Sequence, residues 1–403
     1  MIIRLLVTCS LLIGATTFVS CDKLLPPTPA DNETLDGMVE GLTASQRAMH
    51  IRGDEGFSQV FTPQTGLGPY FVATSCADCH AGDGKGHPFT SLVRFGQSDI
   101  SGNSFLDKGG PQLQNRAIPG FIKEEIPHGA SSSVFLPPAV SGFGFIEAVS
   151  DEDILAMSDP DDADGDGISG VPNWHSVPSF VTVRSTPVDG KFICRFGRKG
   201  STYDLHQQTA TAYNQDMGIT SSFIINNPTN VLDALHPITS GGPEVSDEVI
   251  NAVTFYLQTL KAPVQRNPVA DIVKQGKSIF MTIGCEKCHK ETLKTGDSPI
   301  AALSNQTFHP YTDLLLHDMG SALDDGYTEG SAKTYEWRTP ALWGLGLSTS
   351  SQGGSYFLLH DGRARSIEEA ILLHGGEAES SNTKFKASSD TDKNALIKFL
   401  ESL

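Results

Sequence analysis

The sequence predicts a mainly α-helical chain of two related domains, the first enlarged by an irregular, β-containing insertion. Two observations lead to this fold class. The motif Cys-x-x-Cys-His occurs at 76–80 and again at 285–289. The stretch "RGDEGF" (52–57) before the first copy also corresponds to "QGKSIF" (275–280) before the second. Correspondence of this kind at a long interval is typical of a duplicated unit.

Further patterns give the expected limits of the two domains. After the motifs, "LPPAVSGFGF" (136–145) corresponds to "RTPALWGLGL" (338–347). The first domain is expected at 46–265, with its insertion at about 150–245, where turn residues alternate with β-prone runs such as "SFVTVRS". The second domain is expected at 268–403.

The segment before the second motif has the pattern of an amphipathic helix. In "DIVKQGKSIFMTI" the apolar residues recur at helical spacing. The side chains expected on one side of this helix are Ile272, Val273, Ile279 and Phe280.

The first residues have the features of an export signal. Arg4 precedes an apolar run that is too short to span a bilayer, so 1–20 reads as a signal peptide. The run ends in "FVSC", which resembles the lipobox of bacterial lipoproteins and predicts acylation of Cys21. A polar tether at 21–45 would follow, with the chain lipid-anchored on the periplasmic side of a bacterial cell envelope. The alternative is ordinary cleavage, with Cys21 incidental.

Composition limits the partners that the chain can have. The net charge is -18 over 403 residues, which argues against nucleic acid or an anionic lipid surface as a partner. The aromatic content of 8% is sufficient for a packed core.

Closely spaced cysteines serve zinc binding, disulfide exchange or covalent haem attachment. One zinc site cannot use both pairs readily, because they lie more than two hundred residues apart. The βαβ pattern of thioredoxin-like sites is missing around Cys76. Cys-x-x-Cys-His is the c-type haem signature, in which His80 and His289 would bind iron. The thioether-forming residues would be Cys76, Cys79, Cys285 and Cys288. The sequence therefore predicts two covalently bound haem c groups in cytochrome-c-like domains.

Several longer stretches resemble the bacterial di-haem oxidoreductase family, also called the thiol oxidoreductase family, which is related to the di-haem cytochrome c peroxidases. They include "GPQLQNRAIPG", "LLLHDMGSALDDG", "RTPALWGLG" and "LLHDGRARSIEEAILLHGGEA". "RFGRKG" departs from the family pattern, since Arg198 stands where the family tends to carry Trp. An electron-relay role at that position is therefore in doubt.

The resemblance implies one low-spin haem that stores electrons and one open haem that binds the oxidant. For the second haem it favours His374 as distal ligand, with Met319 as the second choice. His360 in "HDGR" would be a neighbouring or propionate-binding residue. The alternative for His374 is a buried structural histidine at a helix end.

Peroxide cleavage at an open iron needs an acid/base group above it. Glu147 follows the turn "SGFGFIEAV" among apolar neighbours, which should raise the pKa of its carboxyl and suit proton transfer. The alternative is a glutamate that stabilises a helix start. Cys194 in "KFICRF" is expected to be a core residue rather than a reactive thiol.

The stretch "DDADGDGISG" (161–170) suggests a shortened calcium loop. Asp162, Asp164 and Asp166 alternate as oxygen ligands, and Gly167 permits a sharp turn. The loop lacks the final glutamate of an EF-hand. A bound cation would be expected to affect the first haem more than the second. The alternative is a solvated acidic turn.

The resemblance implies a peroxidase-type oxidoreductase. Electrons from a small redox protein or other donor would enter at the second haem and pass to the first, which would reduce peroxide or a related oxidant. The rival hypothesis is a non-catalytic di-haem electron-transfer cytochrome, including one that serves a metal (iron) uptake system.

Overall fold

Helices supply most of the regular structure in the computed structural model, which describes residues 30–236 and 242–403. The predicted signal peptide and Cys21 lie outside these residues. The helices are α1 (Ala44–Ser58), α2 (Phe143–Glu147), α3 (Asp151–Ala156), α4 (Leu205–Met217), α5 (Asp247–Thr259), α6 (Asp271–Ile283), α7 (Ser348–Ser351), α8 (Ile367–Leu372), α9 (Glu379–Ala387) and α10 (Asp390–Ser402). The prediction of a mainly α-helical chain is confirmed. Within the described residues, no helix has the length and apolar character needed to cross a membrane.

The strands are short and form two-stranded antiparallel sheets. The pairs are β1 (Tyr70–Phe71) with β3 (Arg116–Ala117), β2 (Leu92–Phe95) with β4 (Ser132–Phe135), β5 (Asn173–His175) with β6 (Phe192–Cys194), β7 (Leu293–Lys294) with β8 (Thr307–Phe308), and β9 (Leu316–Asp318) with β10 (Glu336–Arg338). In the last pair, Trp337 lies opposite His317.

Two helix pairs, α1 with α5 and α6 with α10, cross in the same way. A Cβ on Gly53 of α1 would collide with the Ala252 carbonyl of α5, and a Cβ on Gly276 of α6 would collide with the Ala395 carbonyl of α10. Gly53 and Gly276 are the residues that correspond in "RGDEGF" and "QGKSIF". Glycine is needed at both crossings because the two backbones touch.

The aromatic residue four positions after each crossing glycine also has an equivalent place. Phe57 lies 6.1 Å from the His80 ring, and Phe280 lies 6.3 Å from the His289 ring, measured between ring centroids. Each phenylalanine also packs on an aromatic residue of the partner helix, Phe57 on Tyr256 of α5 and Phe280 on Phe399 of α10. The sequence correspondence thus extends to the packing around each motif.

The predicted amphipathic character of α6 holds for three of its four apolar residues. Val273 and Phe280 are buried and Ile279 packs against the same core, whereas Ile272 is exposed. The buried positions Val273, Gly276 and Phe280 recur three or four apart, as one face of a helix requires.

The stretch predicted as an irregular insertion also contains a full helix, α4. Asp204 begins it, since its carboxylate accepts the N–H of Gln207. Leu205, Tyr213 and Met217 of α4 are buried in the same core as residues of α1 and α5. The segment therefore packs in the core that also contacts Cys76 of the first motif.

Candidate haem-binding sites

The first motif lines a cavity of about 770 Å³. This volume lies in the range of cofactor and ligand pockets. The motif lies in a tight turn, where the N–H groups of Cys79 and His80 both donate to the Cys76 carbonyl. Residues of α4 and the loop after β6 form other walls. Polar and charged side chains on the lining include Arg94, Arg198, Gln208, Asp216, Tyr327 and Glu329.

The ring of His80 is oriented by the main chain. Its Nδ1 donates to the Pro138 carbonyl over 2.8 Å, which leaves Nε2 without a proton. Burial lowers the pKa of His80 to about 4, so the imidazole is neutral. A neutral imidazole with its other nitrogen held by a hydrogen bond is the form that binds iron.

The second motif repeats this arrangement. Nδ1 of His289 donates to the Tyr311 carbonyl over 3.0 Å. Burial, followed by the proximity of His374, lowers the pKa of His289 to about 4. Both motif histidines therefore present a free Nε2 in the same chemical state.

His374, which the sequence favoured as distal ligand of the second haem, lies close enough to His289 to lower the pKa of that residue. Its Nδ1 donates to the Ala370 carbonyl over 2.6 Å, so its Nε2 is also free. Burial lowers the pKa of His374. Met319 instead packs against the cluster that contains Phe135 and Trp337. The structure thus brings His374 to the second motif.

His360 lies beside Trp337 rather than near either motif histidine. The two rings are stacked, with centroids 3.7 Å apart and planes at 9°. Nε2 of His360 bonds to Asp325 Oδ2 over 2.7 Å. The Trp337 ring also contacts Lys199, whose Nζ lies 3.9 Å from the ring centroid.

His317 is a buried residue that the sequence analysis did not single out. Its Nε2 lies 2.9 Å from Asp313 and its Nδ1 lies 2.6 Å from Glu377. Nδ1 is also 3.6 Å from the Cys288 sulfur. Burial alone would lower the pKa of His317, but its hydrogen bonds to Asp313, Cys288 and Glu377 raise it well above the ordinary value. The only advance signal was an Asp and a His four apart, shortly after the motif.

Glu147 does not line the first cavity. One of its carboxylate oxygens accepts the N–H of Leu205, at the start of α4, and the other accepts the side-chain amide of Gln258. Burial raises the pKa of Glu147, as expected. Glu147 is the last residue of α2, so it does not open its own helix as the alternative expected; its carboxylate instead accepts an N–H at the start of α4.

Two other carboxylates do line the cavity. Burial raises the pKa of Asp216, on α4, to about 6. Glu329 lies 2.5 Å from Arg94 Nε and accepts the hydroxyl of Tyr327 over 2.9 Å. Burial would raise the pKa of Glu329, but Arg94 lowers it. Asp216 is thus the lining carboxyl that can hold a proton near neutral pH.

The acidic loop groups its aspartates differently from the predicted set. Asp159, Asp162 and Asp164 each bring a carboxylate oxygen within 4.8 Å of the others. Asp166 instead forms an ion pair with Lys287 over 2.9 Å. Lys287 belongs to the second motif, so the loop contacts the second site.

Cys194 is buried in the small cluster with Val181 and Tyr203. Burial raises the pKa of its thiol to about 12, so the thiol stays protonated. This agrees with a core residue, because reactive cysteines have lowered pKa values.

The donor set at both motifs fits haem c. The paired cysteines are unbonded, as are all the described cysteines, and each pair adjoins a buried imidazole with a free Nε2. Buried cationic side chains around the first cavity would suit the two carboxylates that a haem carries.

Residues 135–403, about two thirds of the chain, match the family model described as "Di-haem oxidoreductase, putative peroxidase". The chain therefore belongs to the di-haem oxidoreductase family. No curated protein sequence matches the chain.

Two solved structures are similar at low sequence identity. A xenon-pressurised hydrazine synthase from Kuenenia stuttgartiensis is 15% identical over 99% of this chain and 100% of that chain, with a TM-score of 0.36. A MauG-like protein associated with microbial copper homeostasis is 12% identical over 94% of this chain and 91% of that chain, with a TM-score of 0.38.

Proposed function

We propose that this chain is a di-haem c oxidoreductase of peroxidase type, with an open first haem and a six-coordinate second haem. The observation that carries the proposal is the difference between the two sites. The second motif has a second buried imidazole, His374, beside His289. The first motif faces a cavity of about 770 Å³, and although His175 also lines this cavity, it is not among the groups that shift the pKa of His80.

Each haem would be carried by its own cytochrome-c-like helical domain, the first enlarged by the insertion. The equivalent crossings at Gly53 and Gly276, and the equivalent contacts of Phe57 and Phe280, support this division. The expected thioether partners remain Cys76, Cys79, Cys285 and Cys288.

When bound, a haem whose iron has two strong axial ligands exchanges electrons, whereas one with an open position also binds a small oxidant. In this proposal His289 and His374 hold the electron-storing group, and His80 holds the other. Electrons from a small redox protein or other donor enter at the second site and reach the first.

Asp216 supplies the proton needed at the first site. It lines the cavity, and a pKa of about 6 lets its carboxyl hold and release a proton near neutral pH. Glu147 has both oxygens engaged by Leu205 and Gln258 and lies off the cavity. We therefore assign Glu147 a positioning role, holding α4 against α5.

The export signal and "FVSC" support a location in the bacterial cell envelope, lipid-anchored through Cys21 on the periplasmic side. Covalent haem attachment outside the cytoplasm is consistent with that location. The net charge of -18 supports a protein or small-molecule electron donor rather than nucleic acid.

Calcium is part of the proposal at the acidic loop. Asp159, Asp162 and Asp164 are the candidate ligands, with Asp159 taking the place expected for Asp166. Oxygen ligands of this kind suit Ca²⁺.

The test is redox-titrated optical and EPR spectroscopy of the haem-loaded chain, with and without peroxide. We expect one high-spin and one low-spin haem in the half-reduced state, and re-oxidation of the protein by peroxide. Two low-spin haems in every redox state, without peroxide-dependent oxidation, would contradict the proposal. That result would favour an electron-transfer cytochrome, including one that serves a metal (iron) uptake system.

A further inference from the structure

Arg198 is a cation on the wall of the first cavity. Its Nε and Nη2 both donate to one acceptor, the Leu136 carbonyl. Among the described residues it forms no ion pair, although an arginine side chain offers five N–H donors. Part of its hydrogen-bonding capacity therefore remains available toward the cavity.

Arg338 is a second cation in the same situation. Its Nε donates to the Gly197 carbonyl over 3.1 Å and its Nη1 to the Thr339 carbonyl over 3.1 Å. It also lacks an ion-pair partner within the part of the chain that the structure describes. Its backbone N–H donates to the Arg198 carbonyl over 3.2 Å, so the two arginines are directly linked.

Arg338 is connected to the second motif through its neighbours. The Thr339 carbonyl that it contacts also accepts the hydroxyl of Thr312 over 2.6 Å. The N–H of Thr312 in turn donates to the carbonyl of Lys290, the residue after His289. Arg198 thus lines the first cavity, whereas Arg338 is held between Gly197, on the wall of that cavity, and the neighbourhood of Asp313, which bonds to His317 beside Cys288 of the second motif.

The two guanidinium groups repel each other in a buried setting. Burial, followed by Arg338, lowers the pKa of Arg198 to about 10. Burial lowers the pKa of Arg338 to about 10 as well. Lys85 adds a third cation, since burial and then Arg198 lower its pKa to about 7. Asp361 acts on Arg198 and Asp313 on Arg338 in the opposite sense, but neither carboxylate forms an ion pair with its arginine among the described residues. Buried charges without a direct partner are costly, so an anionic ligand would stabilise these groups.

Lys199 shows how this fold treats a buried cation that has a purely structural role. Its Nζ donates to three carbonyls, those of Lys333, Thr334 and Glu336, and contacts the Trp337 ring. All of its donors are therefore used within the chain. Arg198 and Arg338, in contrast, keep donors unused.

We propose that Arg198 and Arg338 form a carboxylate-binding pair between the two haem sites, with Arg198 holding a propionate of the first haem and Arg338 a propionate of the second. A guanidinium fork matches a carboxylate in shape and charge. The inference rests on the proposed function only in requiring haem c at both motifs. It explains how a residue that replaces the family's usual tryptophan is accommodated.

The test compares Arg198→Leu and Arg338→Leu with the unaltered haem-loaded chain by spectroelectrochemical titration at several pH values, without peroxide. A nearby positive charge stabilises the reduced haem, so each variant is expected to lower one midpoint potential. The two variants are expected to lower different potentials. The altered potential should also become dependent on pH between about 5 and 7, because a propionate without its arginine regains a pKa in the ordinary carboxyl range or above.

Arg363→Leu is the matched control, because Arg363 is already neutralised by Asp325 and Asp361. It removes one positive charge that already has carboxylate partners, so it should leave both potentials independent of pH. If a leucine variant does not fold, Arg198→Gln or Arg338→Gln removes the same charge and is judged by the same measurements.

Unchanged potentials in both arginine variants, or a shift of the same potential by both, would overturn the inference. A shift without new pH dependence would also overturn it, since a through-space charge effect does not involve a propionate. The proposed function fails separately, because two low-spin haems would refute the open site and leave this titration unaffected.

Discussion

Asp216 and Glu147 are both buried carboxyls with raised pKa values, but only Asp216 lines the first cavity. We therefore predict that Asp216→Asn lowers the rate of peroxide reduction by about 10²- to 10⁴-fold, the usual contribution of general acid/base catalysis. Glu147→Gln should keep the rate within a few-fold. Stopped-flow mixing of the reduced protein with peroxide measures both.

Glu147→Gln should instead lower the melting temperature, since a neutral amide accepts the N–H of Leu205 less strongly than a carboxylate does. The opposite pattern, with a large rate loss for Glu147→Gln and none for Asp216→Asn, would return the proton-transfer role to Glu147.

Glu124 should make the stability of the protein depend on pH. It is 3% exposed, one of its oxygens accepts the N–H of Gln114, and the other has no partner among the described residues. Burial raises its pKa from 4.5 to about 8. The native state therefore holds this proton more tightly than the unfolded state. Its contribution to the free energy of unfolding is complete below pH 4.5 and is lost as the pH rises toward 8.

Glu124→Gln should remove this slope, because the amide keeps an acceptor for Gln114 and does not ionise. Denaturant unfolding at pH 5 and pH 8 should then differ less in the variant, by a margin on the order of 1 kcal/mol or more. Equal pH slopes in both proteins would show that Glu124 is ionised in the native state.

At the residue scale the sequence singled out the motif residues, but it did not single out Asp216, the carboxyl that lines the first cavity. Glu147 was chosen for its apolar sequence neighbours. Its actual partners, Leu205 and Gln258, are 58 and 111 residues away along the chain. His317 escaped notice for the same reason, since Glu377 is 60 residues away. Contacts at such separations are properties of the fold rather than of local pattern.

The acidic loop contacts the second motif, through an ion pair between Asp166 and Lys287. Lys287 lies between the two cysteines of the second motif, and Ser169 donates to Glu377 over 2.9 Å. The expectation that a cation here would affect the first haem more is therefore revised.

We predict that Asp166→Asn, or chelation of calcium, perturbs the spectrum of the second haem more than that of the first. Asp159→Asn with Asp164→Asn should reproduce the effect of the chelator and lower the melting temperature. Asp189→Asn is a control on another exposed turn. Indifference of melting temperature and spectra to the chelator would leave the loop without a calcium role.

Among the elements, helix α6 followed from apolar periodicity, whereas α4 did not. The sequence of α4, "LHQQTATAYNQDM", has few large apolar residues and several polar ones. Its Gln208 and Asp216 face a cavity rather than solvent or core. A helix that lines a polar cavity lacks the periodicity by which helices are predicted.

For the whole molecule, the sequence showed the correspondence between the stretches around the two motifs, but it did not show the contact between the two halves. The core around α1, α4 and α5 also contains Phe308 and Trp343 from the second half. Nothing in the local sequence of these two residues indicates which half they pack against. Only the assembled chain shows that the halves share this core.

The carbonyls of Pro138 and Tyr311, which hold His80 and His289, have a consequence for redox poise. A hydrogen bond from Nδ1 makes an imidazole a stronger electron donor to iron through Nε2. Because both acceptors belong to the backbone, no side-chain substitution can delete them. In the proposed haem sites, the donor strength of His80 and His289 would therefore follow from the path of the main chain, and side-chain substitutions would tune each iron only through its surroundings.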